Sequence, residues 1–177
     1  MNAIPSKQDA HYLLAMLDSG LIDSSYTIPW AERIIVETGE APQWLWDLST
    51  KKYQGDQLTA VSSFVHAEPF GPAPSDIGKF YLACLLKRHL RNEWSWATLL
   101  KQIGEYLDAQ GCEEPWDCET PYYFLNVLED GAFTEEVEKT TKEQYFTDQD
   151  FRPLLQKVET YLDCFPVEKR LQKTQSN

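Results

Sequence analysis

The sequence lacks most of what the common catalytic and membrane classes require. Its longest uninterrupted apolar run is the stretch Phe80-Tyr81-Leu82-Ala83-Cys84-Leu85-Leu86, far short of the roughly 20 residues that span a bilayer as a helix. No integral membrane segment is expected. The start, Met1-Asn2-Ala3-Ile4-Pro5-Ser6-Lys7, has no apolar stretch leading to a small-residue cleavage site, so no secretory signal is read and a cytoplasmic location is expected. Glycine is scarce, 8 in 177 residues, which leaves little material for phosphate-cradling loops. GxGxxG, GxSxG and HExxH are all missing.

Metal ligands are poorly arranged. His11, His66 and His89 are isolated from one another and from the cysteines in sequence, whereas zinc sites bring cysteines in CxxC-like pairs or histidines three to five residues apart. Of Cys84, Cys112, Cys118 and Cys164, only the middle two are close. A Cys112–Cys118 disulfide is conceivable, but a cytosolic setting keeps it reduced; Cys84 and Cys164 lie in apolar helical patterns and read as small hydrophobes. Cys84 and His89 are five residues apart, which puts them on different faces of a helix and excludes a nucleophilic pair. The alternating acids of a calcium-binding loop are not found, and paired carboxylates carry no information in so acidic a chain. Neither metal nor cofactor is expected, no catalytic residue is assigned, and the chain reads as a non-enzyme.

What the chain has is aromatic bulk, with 6 Trp, 9 Tyr and 8 Phe, enough to build a core for one domain or two very small ones. No segment alternates in the period of a strand. Helical punctuation recurs instead. Ser6 followed by Asp9 opens a helix that ends at Gly20; Pro29 sits in the first turn of a second that leaves at Gly39; Pro42 opens a short one. Leu58, Val61, Phe64 and Val65 share a face, and the prolines at 69, 72 and 74 then stop the helix. Ser75 caps a core helix that runs through Ile77 to Leu90, with the cations Lys87, Arg88 and Arg91 at its end. Further helices follow at 94–110, 122–130 and from Thr134, with a last one at 150–165 before a polar tail from about residue 167. The expected architecture is all-α: a single domain over residues 1–177, a bundle or array of about eight to nine helices with short connections, or else a stack of helical hairpins. The tryptophans at 30, 44, 46, 94 and 96 are read as core rather than ligand pocket.

Charge is the most uneven feature. The chain carries 28 acidic and 16 basic residues, for a net charge of −12. Residues 105–150 hold 14 of those acids against only Lys139 and Lys142, so this segment accounts for the whole excess. Two clusters stand out: Glu113, Glu114, Asp117 and Glu119 around Trp116, and Glu129, Asp130, Glu135, Glu136 and Glu138 around Gly131. Acids near helix starts stabilise the macrodipole, which suits Glu135 and Glu136. A long stretch undiluted by lysine instead costs stability by self-repulsion, which favours a functional acidic face. Such a face repels nucleic acid and anionic lipid and suits a basic protein surface, with Trp116 or Tyr122 as a desolvated anchor.

The segments Trp30-Ala31-Glu32-Arg33-Ile34-Ile35 and Pro42-Gln43-Trp44-Leu45-Trp46-Asp47-Leu48-Ser49, in a small, acidic, all-helical chain, resemble immunity proteins of bacterial polymorphic-toxin and contact-dependent growth inhibition systems. The resemblance covers about a quarter of the chain and transfers no residue roles. It implies a protein partner, the toxic domain of a cognate effector, and a neutralising action. Many such toxins are nucleases with basic surfaces, which agrees with the charge map. The residues assigned to partner binding are Glu113, Glu114, Trp116, Asp117 and Glu119, with Glu129, Asp130, Glu135 and Glu136 second. A helical adaptor for another cellular protein, and a small-molecule-binding domain built on the Trp-rich N-terminal half, are the competing readings.

Overall fold

Helix starts in this chain are fixed by short polar side chains, and the first is the clearest case. Ser6 accepts a hydrogen bond from the Asp9 backbone N–H, and the Asp9 carboxylate accepts in return from the Ser6 backbone N–H at 3.0 Å, so two donors with no intrahelical partner are satisfied reciprocally. The computed structural model describes residues 4–111, 118–148 and 151–165. Among them are nine helices and no strand: α1 (Lys7–Asp18), α2 (Ser24–Thr38), α3 (Gln43–Thr50), α4 (Gln54–Val65), α5 (Ile77–Leu90), α6 (Trp96–Ala109), α7 (Glu119–Asp130), α8 (Glu135–Asp148) and α9 (Arg152–Leu162). The all-α reading holds. No helix among the described residues is long and apolar enough to cross a membrane.

The helix boundary furthest from expectation is the start of α2. Pro29 is not in the first turn of α2; the helix begins five residues earlier, at Ser24, because Asp23 accepts from the Ser25 backbone N–H at 2.8 Å and caps it there. Proline inside the helix removes one backbone donor. The exit is as read, with Gly39 in the left-handed region at φ 71°. Cys118, expected to be kept reduced, is disulfide-bonded; Cys84 and Cys164 are free thiols, and Cys112 lies outside the described residues.

The chain divides into two compact units, residues 1–84 with 154–177, and residues 85–153. In the first, α1 packs on α4, α2 on α3 and α3 on α4. Its core holds Met16, Leu17, Leu21, Ile22, Tyr26, Ile34, Leu45 and Leu48, all essentially inaccessible. Trp44 stacks on Phe64 with centroids 4.8 Å apart, and Trp30 lies 5.6 Å from Phe165. Each such ring removes a large apolar area from water. The one buried amide in this core is fully used. Gln57 accepts from the Thr27 hydroxyl at 2.9 Å and donates to the Lys51 carbonyl at 2.8 Å, so it avoids the desolvation penalty of an unpaired group. A second polar knot joins three segments remote in sequence: Tyr12 of α1 donates to Asp76 at 2.6 Å, and Lys157 of α9 reaches both Tyr12 at 2.7 Å and Asp76 at 2.6 Å.

The second unit packs α6 on α7 and α7 on α8. Its centre is aromatic: the buried Trp96 indole N–H donates to Thr141 at 3.0 Å, and Tyr145 meets Trp96, Phe124 and Phe151 within 6.3 Å. Burial of Trp30, Trp44 and Trp96 bears out the reading of these tryptophans as core. Trp46 is half exposed, and Trp94 lies under the Arg88 guanidinium at 3.8 Å from the ring centre.

Candidate functional site

The acidic segment is organised by α7. Its inward face carries Pro121, Phe124 and Leu128, all buried. The outward face follows from the helical period: Glu119, Tyr123, Asn126 and Asp130 are spaced i, i+4, i+7 and i+11 and all are exposed, so they form one stripe running about 16 Å along the helix at 1.5 Å per residue. Tyr123 stands in the middle of that stripe with 59 % of its surface exposed. The stripe thus runs from Glu119, a member of the first acidic cluster, to Asp130 of the second.

At the far end of α7 the backbone turns tightly. Gly131 ends the helix, and Ala132 and Phe133 follow with φ of 51° and 53°. Side chains other than glycine occupy this left-handed region at a cost of about 1–2 kcal/mol per residue. The Phe133 amide donates to the Leu128 carbonyl at 2.8 Å, which closes the turn and leaves the Phe133 ring 57 % exposed. Thr134 accepts the first bond of α8 from Glu138, and Glu135 and Glu136 follow, both exposed. Gly131 is required by close packing, since a Cβ there would lie 2.7 Å from a Val137 methyl.

Charge pairing separates structural acids from free ones. Lys139 pairs with Glu143 at 3.9 Å, and Lys142 with Glu138 at 2.5 Å. Those are both lysines of the segment. Glu119, Glu129, Asp130, Glu135 and Glu136 have no cation within 4 Å among the described residues. Glu119, Glu135 and Glu136 sit in first turns, where the helix dipole favours a negative charge. Glu129 and Asp130 sit in the last turn of α7, where it disfavours one. Helix stability therefore accounts for three of the five acids and argues against the other two.

Of the residues assigned to partner binding, Glu119, Glu129, Asp130, Glu135 and Glu136 lie along α7 and its turn into α8. Glu113, Glu114, Trp116 and Asp117 lie outside the described residues. Tyr122, the other anchor considered, is packed against α6: its ring faces Gly104, and a Cβ at that position would lie 2.8 Å from the ring. Burial, then Asp108 and Glu105, push the Tyr122 phenol above its ordinary range, which places two further acids beside the start of α7. The exposed aromatics of this surface are Tyr123 and Phe133. Tyr123 was readable from its spacing to Glu119 and Asp130; the exposure of Phe133 depends on the left-handed turn, which no residue type there announces.

In the first unit, α1 and the end of α4 bring the rings of His11 and His66, remote in sequence, edge to face with centroids 6.3 Å apart. No group of three or more His, Cys, Asp or Glu side chains converges among the described residues. Comparison with known proteins adds no assignment: no family model matches the chain, and no curated protein or solved structure is significantly similar to it.

Proposed function

We propose that this protein is an immunity protein, which neutralises a toxic bacterial effector domain by binding it through the exposed face of α7 and the turn into α8. The observation that carries the reading is the stripe Glu119–Tyr123–Asn126–Asp130, exposed along its length and without a cation to balance it among the described residues. Interfaces gain affinity from a few desolvated aromatic anchors and gain speed and selectivity from complementary charge around them. Tyr123 and Phe133 supply the anchors; Glu119, Glu129, Asp130, Glu135 and Glu136 supply the field. The partner this combination suits is a basic protein surface with apolar hollows. A nuclease domain has such a surface where it receives phosphates, and an acidic helix laid across it competes with the nucleic acid directly.

The cognate toxin is the finer part of the reading, and it rests on the resemblance of the segments at 30–35 and 42–49 to immunity proteins. The test is to purify the tagged chain from its native cell at low and at moderate salt. A stoichiometric basic domain, toxic when produced alone and harmless beside this chain, is the expected result. Recovery of an acidic or neutral partner, or of a basic partner whose toxicity the chain does not relieve, would contradict the proposal.

A further inference from the structure

His11 stands on α1 and His66 caps the end of α4, two helices that pack together in the first unit. Their ring centres lie 6.3 Å apart, with the ring planes at 86°. Neither imidazole has a hydrogen bond or an ion pair among the described residues. The third histidine, His89, is by contrast engaged through Nδ1 with the Trp94 carbonyl at 2.9 Å. His66 is exposed and His11 half-buried, and neither has a buried unpaired nitrogen among the described residues. The ring nitrogens of the pair are therefore open to a ligand from solvent.

The spacing suits two ligands of one metal ion. A transition-metal ion sits about 2.0–2.1 Å from an imidazole nitrogen, so two coordinated rings have their centres about 5 Å apart at a tetrahedral angle and about 6.4 Å apart when they face each other across the metal. The observed pair stands at the wide end of that span. Bringing a nitrogen of each ring onto the metal needs the rings to turn and the helices to stay, and the terminal torsion of histidine has broad minima. Burial, then His66 and then Lys7 lower the affinity of His11 for its proton, so a proton competes less for that ring than for an ordinary histidine. The Lys7 ammonium is held by the carbonyls of Ala67 and Pro69; it offers no ligand, and its charge weakens the attraction for a cation.

We propose that His11 and His66 together bind a divalent transition-metal ion of the zinc, copper and nickel class, which bridges α1 and the end of α4. Imidazole is a ligand common to these ions, and copper should bind more tightly than zinc. No third His, Cys, Asp or Glu converges on the pair among the described residues, so water fills the remaining positions. Two protein ligands beside an ammonium set the dissociation constant for zinc on the order of 10–100 µM.

The test titrates zinc chloride into the untagged full chain at neutral pH while the imidazole resonances of all three histidines are followed by NMR. The expected result is saturable movement of His11 and His66 together, at one zinc per chain, with His89 unmoved. His66→Gln and His11→Asn should each weaken binding at least tenfold, because either change leaves a single imidazole. His66 is exposed at a helix end, so His66→Gln keeps the fold and carries the test alone where an altered amide spectrum shows that His11→Asn disturbs packing. No saturable movement at millimolar zinc, saturable movement of one ring without the other, or undiminished binding by His66→Gln would overturn the proposal.

Discussion

Gly104 of α6 and the ring of Tyr122 of α7 approach so closely that a Cβ at residue 104 would stand 2.8 Å and 2.9 Å from two ring carbons. This contact sets how near the two helices lie, and through it the position of the α7 face that carries the proposed function. Glycine in a helix interior ordinarily costs about 1 kcal/mol relative to alanine. Here that cost is outweighed by the clash a methyl group would bring, since overpacking a tight contact costs about 1–3 kcal/mol.

Gly104→Ala is therefore expected to destabilise the protein, against the usual sign for such a change. Gly55→Ala is the control: Gly55 lies in α4, a helix of the other unit, with nothing within 4 Å of its Cβ position, and alanine there should stabilise by several tenths of a kcal/mol. Urea unfolding of both variants checks the pair. Equal signs would show that the α6–α7 contact is looser than described.

The knot of Tyr12, Asp76 and Lys157 gives a pH dependence with a defined sign. Burial raises the Asp76 carboxyl, but hydrogen bonds from Lys157 and Tyr12 outweigh it and hold the group below its ordinary value. Asp76 then contributes stability that is fully present above the ordinary carboxylate range, near pH 4, and is lost as pH falls through the lower folded value. Lys157 is shifted the other way: burial lowers it, and bonds to Asp76 and Tyr12 outweigh this and raise it. Its contribution is present below the ordinary lysine value, near pH 10.4, and fades as pH climbs through the folded one. Side chains exposed at 33 % and 35 % are screened by solvent, so the pair is worth less than about 1 kcal/mol. Asp76→Asn should flatten the acid limb of the urea midpoint between pH 5 and about 2. An unchanged acid limb would show that the ion pair does not persist in solution.

The turn at residues 132–133 trades stability for exposure. Phe133 holds a left-handed backbone at φ 53° and its ring is more than half in solvent, so glycine removes the strain while forfeiting little burial. Phe133→Gly should raise stability by up to about 1 kcal/mol and weaken binding to the partner. Ala132→Gly, which relieves the neighbouring strain at φ 51° and keeps the ring, should stabilise and leave binding intact. Loss of stability in both variants would show that the turn is not strained, and undiminished binding by Phe133→Gly would remove Phe133 from the interface.

Much of this fold was legible because helix punctuation is local. Ser6 and Asp9 form the reciprocal cap their spacing suggests, and Gly20, Gly39 and Gly111 all take the positive φ expected behind a helix end. Local signals also misled, as at Pro29, where a residue favoured at helix starts lies inside a helix that Asp23 had already begun. Contacts set by packing were out of reach. Lys157 meets Tyr12 across 145 positions and His66 meets His11 across 55, and no periodicity encodes either. The acidic segment was half legible as a surface. Charge counting located it, while the face it occupies needed the period of α7 to separate exposed Tyr123 from Tyr122 against Gly104.

The central claim is that the exposed face of α7 holds a basic toxic domain. With that domain in hand from native-cell purification, its dissociation constant is measured for the wild-type chain and for Glu119→Lys/Tyr123→Ala/Asp130→Lys, over a series of salt concentrations. All three positions are exposed, so folding should be preserved, with the thermal midpoint as the check. The expected result is a loss of at least 100-fold in affinity, about 2.7 kcal/mol, and a flatter salt dependence for the variant because its charge field is gone. Affinity and salt dependence equal to the wild type in a folded variant would contradict the claim and move the interface off α7.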